Sequence, residues 1–188
     1  MSSTHTYAVD SRNANIQINI NGELFARDQA VVSVFDSGFI LGDGIWEGLR
    51  VHEGVIPFLD QHLKRLWEGA KALDLDLGLS QAELAERLYG TLAANGMRDD
   101  VHIRLMVSRG IKATPYQDPA VTISPPTVVI IPEYKAPDPA LNDRGVRLYT
   151  VYVAGGMPTC RIPGLTATPS STAYSGVYRH PRRAMTRL

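Results

Sequence analysis

Phe35-Asp36-Ser37-Gly38-Phe39-Ile40-Leu41-Gly42-Asp43-Gly44-Ile45-Trp46-Glu47-Gly48-Leu49-Arg50 is the stretch on which the fold turns. Gly42, Gly44 and Gly48 permit close backbone approach and conformations closed to other residues. Ile45 and Trp46 alternate on the strand that follows, so one of them faces a cavity or a partner subunit. The run is not a phosphate loop, because GxxxxGK is absent and no GxGxxG opens a helix. On its own such a run is more often a structural turn than a site.

Outward from this run, the chain alternates strand and helix signals. Residues 1–15 are polar and aperiodic and read as a loose arm. Ile16 to Ile20 alternates apolar and polar, and Asn21-Gly22 supplies the positive φ angles of a type I′ turn into Glu23-Leu24-Phe25. A second hairpin is expected from Ile45 to Phe58, with His52-Glu53-Gly54 at its tip. Beyond it Leu59, Leu63, Leu66, Trp67, Ala70 and Leu73 form one helical stripe. Ser80 with Glu83 makes a capping box, opening a helix with Leu84, Leu88 and Leu92 inward and Gly96 as its stop. Val101 to Ser108 and Thr127 to Pro132 read as buried strands. Glu133 to Asp143 is rich in Pro, Asp and Ala, and Val146 to Val153 would begin a further sheet. The order is that of an α+β domain over residues 1–132, a linker over 133–145, and the start of a second domain from 146.

Composition sets the bounds. Hydrophobic residues make up 44% and charged residues 20% of 188 residues, enough for an ordinary core. The formal net charge of +0 argues against nucleic-acid or anionic-membrane partners. Cys160 is the one cysteine, so no internal disulfide or cysteine-built metal site is expected. No leader and no apolar run approaching about 18 residues is present, so the expected location is the cytoplasm. The neutral total hides an asymmetry: Ala154 to Leu188 holds five arginines and no lysine or acidic residue, leaving 14 basic against 19 acidic residues before it.

Two further segments carry candidate chemistry. In His62-Leu63-Lys64-Arg65-Leu66, Arg65 lies beside the apolar stripe, where a guanidinium either stays in solvent or turns inward to a buried anion. In His102-Ile103-Arg104-Leu105-Met106-Val107, His102 and Arg104 share one strand face. An arginine there needs a structural carboxylate or an anionic ligand, because an unpaired buried charge is costly.

Taken in order, "FDSGFILGDGIWEGLRV", "FLDQHLKRL" and "VHIRLMVSRG" resemble the fold-type IV (class IV) pyridoxal-phosphate aminotransferases, from about Ile16 to Val153. That group includes branched-chain and D-amino-acid aminotransferases and aminodeoxychorismate lyase. The resemblance implies that Arg65 grips the phosphate of pyridoxal 5'-phosphate. Trp46 would line the substrate pocket with Gly48 close by, and Arg104 matches the strand arginine of branched-chain enzymes, with His102 where they commonly carry Tyr. Thr114 stands where the D-amino-acid enzymes place a carboxylate-binding Arg, which favours branched-chain-like substrates. Amino acid and 2-oxo acid partners and a homodimer are implied as well.

The resemblance also implies a lysine that this chain does not place. The amine must hold the cofactor aldehyde and move the substrate proton. Lys64, Lys71, Lys112 and Lys135 are the only lysines, and none lies in an "SKLN"-like segment. Codons built from the third base of one residue and the first two of the next permit R-R-G-Y-A-D-V-Q-D-P-G-L-N-S-H-S-K-L-N-C-I across Ala154 to Tyr174. The missing lysine then falls at Pro169-Ser170. The expectation is a frame change near Val153–Ala154 and an irregular tail in place of the second domain. Such a chain would be inactive. The rival expectations are an aminodeoxychorismate-lyase-like enzyme and a non-enzymatic domain with a basic interaction tail.

Overall fold

Three segments with apolar residues at alternate positions become the long strands of one antiparallel sheet, with a short hairpin added at one side. The computed structural model describes residues 10–136 and Gly145, and the elements below all lie in that span. The strands are β1 (Gln17–Ile20), β2 (Glu23–Ala26), β3 (Gly44–Val51), β4 (Val101–Ser108) and β5 (Thr127–Tyr134). They lie in the order β2-β1-β5-β4-β3, so β3 is an edge strand. The helices are α1 (Ser37–Leu41), α2 (Leu59–Ala72) and α3 (Gln81–Ala94).

The core lies between one face of the sheet and α2 and α3. Leu49 and Val51 of β3, Val101, Ile103, Leu105 and Val107 of β4, and Val128 and Ile130 of β5 point into it. They meet Leu63, Leu66 and Ala70 of α2 and Leu84, Leu88 and Leu92 of α3. Each such leucine or isoleucine contributes roughly 1.5–3 kcal/mol by leaving water. The expected helical stripe is therefore the buried face, with Leu59, Trp67 and Leu73 at its margin. The capping box at Ser80 and Glu83 is formed in both directions. Asn21 and Gly22 take φ values of 55° and 97°, as the tight turn requires. Asn21 also exchanges two hydrogen bonds with Val128, donating its N–H at 2.8 Å and accepting on Oδ1 at 2.7 Å, which joins the hairpin to β5.

Four expectations are corrected. Ser11–Asn15 is a 3-10 turn capped by Asp10 rather than a loose arm. The second hairpin has its tip at Glu53-Gly54, but its return arm is only the bridge between His52 and Val55. Pro57 and Phe58 turn the chain into α2 before a strand can form. The glycine-rich run contains a short helix, α1, capped by the Asp36 side chain and ended by Gly42 at φ 68°.

The fourth concerns the end of β5, which runs to Tyr134 rather than stopping at Pro132. β1 pairs with β5 only at Val129 and Ile130, so Pro132 meets no strand on that side and its missing N–H costs no ladder bond. Two residues on, Asn13 takes the place of a strand, with Oδ1 accepting from Tyr134 N–H at 2.7 Å and Nδ2 donating to Tyr134 O at 2.9 Å. Residues 137–144 of the expected linker, the strand Val146 to Val153 and the tail lie outside the described residues.

Candidate functional site

Strand parity sorts the candidate residues between the two faces of the sheet. Ile45, Glu47, Leu49 and Val51 turn toward the helices, so Trp46, Gly48 and Arg50 turn to the other face. The register places Trp46 opposite Met106, Gly48 opposite Arg104, and Arg50 opposite His102. Trp46, Gly48, His102 and Arg104 thus share the sheet face opposite α2 and α3. Trp46 is 46% exposed there. The Arg104 guanidinium lies over the Trp46 ring, 4.0 Å from its centroid. Among the described residues no carboxylate pairs with Arg104, so its charge is offset only by the ring's π face. A side chain at Gly48 would come within 3.2 Å of His102 Nε2 and 3.9 Å of the Trp46 ring. Glycine there leaves room for both neighbours.

Arg65 comes to the helix side of the same strand. Its Nε donates to Glu47 Oε1 at 2.7 Å, and its Nη2 to Glu47 Oε2. His62 Nδ1 lies 2.8 Å from the same Oε2. The buried anion beside the apolar stripe is therefore Glu47, 3% exposed, while the Arg65 side chain remains 68% exposed. Burial pushes the Glu47 carboxyl up, but hydrogen bonds and charge from Arg65 and His62 outweigh it and hold the group below the usual carboxylate range. Glu47 in turn raises the Arg65 pKa. The face with Trp46 and the Arg65 side chain lie on the two sides of β3, whose outer edge pairs with no strand among the described residues.

His102 is pushed down to about 4, first by burial and then by the positive charges of Arg50, Lys135 and Arg104. It is neutral at pH 7, a donor and acceptor rather than a cation. The unfolded chain binds this proton near pH 6.5 and the folded chain only near pH 4, so stability falls as pH drops through that window. A His102→Gln chain is expected to lose this slope. Between pH 7 and pH 4 the parent's urea midpoint should fall by more than the variant's, and a parallel pair of curves would refute it.

Residues 44–165 match the family described as amino-transferase class IV. The chain belongs to that family. It is 39% identical over 146 residues to branched-chain-amino-acid aminotransferase-like protein 1 of Arabidopsis thaliana, covering 78% of this chain and 26% of that one. Among solved structures it is similar to the T.th. branched-chain amino acid aminotransferase complexed with N-(5'-phosphopyridoxyl)-L-glutamate. There the TM-score is 0.57 and the identity 26%, over 64% of this chain and 40% of that chain. It is also similar to 4-amino-4-deoxychorismate lyase from Pseudomonas aeruginosa, with a TM-score of 0.53 and 30% identity over 66% and 42% of the two chains. The chain spans less than half the length of each. The family match continues to residue 165, past Val153, where the resemblance was expected to stop.

Within this class IV chain, several supporting residues escaped the sequence reading. Glu47 sits at a core-facing strand position, and a carboxylate there requires a cation; its parity with Leu49 and Val51 was the available signal. Arg109 holds Asp43 at 2.8 Å and the Leu73 carbonyl at 2.8 Å, pinning the loop before β3 to the end of α2. Ser108 donates to the buried Asp36 at 2.9 Å, tying α1 to β4. Among the described residues no group of three His, Cys, Asp or Glu side chains could hold a metal, and no helix is long and apolar enough to cross a membrane.

Proposed function

We propose that this chain carries the N-terminal part of a site for amino-group transfer between a branched-chain-like amino acid and a 2-oxo acid, with pyridoxal 5'-phosphate as cofactor. The observation that carries the reading is the gathering of Trp46, Gly48, His102 and Arg104 on the sheet face opposite α2 and α3 in a class IV chain. The cofactor fits in part. Arg65 offers a guanidinium half bound by Glu47 and half in solvent, a suitable partner for a phosphate. When bound, the cofactor supplies the electron sink that transamination needs. Trp46 would set one wall for the substrate, and Arg104 would attract its carboxylate. Neutral His102 would orient it by hydrogen bonding.

A ligand able to meet both groups would lie along the free edge of β3. Val31, Val34, Phe35 and Phe39, all exposed and apolar, support assembly as a homodimer. We read the chain as leaving its frame near Val153–Ala154, against a family match that runs to residue 165, because the lysine pattern falls at Pro169-Ser170 in the other frame. Sequencing the gene across Val153–Ala154 tests this, and a natural in-frame transcript with no homologous second frame would remove the idea.

The second reading, a lyase of the aminodeoxychorismate type, is favoured by the likeness to the Pseudomonas aeruginosa structure. The frame-corrected protein separates the two. Glutamate formed from a branched-chain amino acid and 2-oxoglutarate supports transfer, and pyruvate released from aminodeoxychorismate supports elimination. Neither product would overturn both.

A further inference from the structure

Resting on the reading of Arg65 as the phosphate holder, we infer that Glu47 is its positioning residue: a carboxylate that clamps one edge of the guanidinium and leaves the other for the ligand. Glu47 is itself fixed. It stands in a strand paired with β4 along its whole length, with its side chain between β3 and α2. Both of its oxygens are used, Oε1 by Arg65 Nε and Oε2 by Arg65 Nη2 and His62 Nδ1. The His62 contact fixes the proton on Nδ1, since a deprotonated nitrogen would face a carboxylate lone pair. The 3.4 Å approach of Arg65 Nη2 to His62 Nδ1 is then a contact rather than a hydrogen bond.

The guanidinium has five N–H groups in one plane. Glu47 takes the Nε–H and one Nη2–H. Among the described residues Nη1 has no partner, so two of its hydrogens and the second on Nη2 remain for an oxyanion. A two-point pair sets the plane of the fork as well as its position. That matters because the Arg65 side chain is 68% exposed and would otherwise sample many rotamers.

Two effects of Glu47 oppose each other. Its negative charge repels an anion, while its clamp removes the ordering cost from the binding step. Loss of the charge alone would tighten phosphate binding; loss of the clamp would weaken it. The sign of the change therefore separates a positioning residue from a mere neutraliser. Freeing a rotamer-rich side chain corresponds to roughly a 5-fold loss of affinity.

The test uses the purified 188-residue chain, with inorganic phosphate, pyridoxal 5'-phosphate and pyridoxal as probes, read by equilibrium binding and by NMR of the arginine side-chain N–H groups. Arg65→Met should abolish the preference for pyridoxal 5'-phosphate over pyridoxal. Glu47→Gln should weaken phosphate and pyridoxal 5'-phosphate about 5-fold and leave pyridoxal unchanged. In the parent chain the Arg65 Nε–H should be protected before phosphate is added and stay so afterwards, while the Nη signals shift. This last measurement stands even if Glu47→Gln does not fold. If Glu47→Gln binds phosphate as tightly as the parent or tighter, or if phosphate releases the Nε–H, the positioning role is overturned and the Arg65 reading survives. If the parent binds no phosphate, or Arg65→Met binds it equally well, the Arg65 reading fails and the inference with it.

Discussion

A chain carrying Gly110→Ala is expected to unfold at a far lower urea concentration than the parent, with a loss on the order of 3 kcal/mol or more. Gly110 has φ of 108°, a conformation that L side chains rarely adopt. An added methyl would fall on the Pro125 carbonyl oxygen and within 2.6 Å of Ser124 Oγ. Neither neighbour can withdraw cheaply. Pro125 O is backbone, and Ser124 Oγ accepts from Ile111 N–H at 2.7 Å while donating to Pro125 O at 2.8 Å. The strain would also spread, because Gly110 O accepts from Ser37 N–H at 2.8 Å and Ile111 bridges to Asp36. The connection from β4 to β5 and the entry to α1 are thereby joined through one residue. Chemical denaturation followed by circular dichroism checks the expectation. A loss under about 1 kcal/mol, the middle of the range for point substitutions in general, would show that the loop relaxes freely.

The second large effect is catalytic. The purified 188-residue chain, given pyridoxal 5'-phosphate, a branched-chain amino acid and 2-oxoglutarate, is expected to form glutamate no faster than the free cofactor does. The frame-corrected protein should exceed the uncatalysed, cofactor-free reaction by at least about 10⁶-fold, the low end of enzymatic acceleration. The reason lies in where the four lysines sit. Lys64 and Lys71 are on α2, and Lys64 is exposed beside Glu68. Lys112 is 1% exposed, with its ammonium donating to the Asp118 carbonyl at 3.0 Å, and is enclosed by its own loop. Lys135 follows β5 directly and is exposed, its backbone N–H held by Asp100 O at 2.5 Å. None offers an amine in the "SKLN"-like setting that the chemistry needs. Turnover of the uncorrected chain well above the cofactor control would sink this account.

The parts of the fold legible in the sequence are those fixed by neighbours along the chain. Asn21-Gly22 dictates its own turn, Ser80 and Glu83 cap each other, and Leu63, Leu66 and Ala70 define a face by spacing alone. The parts that escaped depend on distant partners. The last two residues of β5 are secured by Asn13, more than a hundred residues earlier. The return arm of the second hairpin was expected from apolar residues, yet Ile56 is drawn into the core instead of pairing. At the site, period-two alternation sufficed to bring His102 and Arg104 together and to leave Trp46 on either face. It did not disclose that Arg104 lies on Trp46, which depends on the register between β3 and β4. Nor did it show that the anion beside Arg65 is Glu47, a residue of a different element.

The narrow attachment of the first hairpin has its own consequence for how the domain breathes. β1 meets β5 over Asn19–Ile130 and Ile20–Val129 alone, with Asn21 clasping Val128, whereas β4 is laced to β3 on one side and to β5 on the other over eight residues each. Free energy of opening scales with the contacts given up, and this ribbon, held besides by Ile16 and Ile18 in the core and by Gln17 to Asn95, gives up fewer strand pairings on opening than β3, β4 or β5. The three-stranded remainder, which carries Trp46, His102 and Arg104, can keep its shape through such excursions, and motion at the amino-terminal end need not blur the geometry around Trp46.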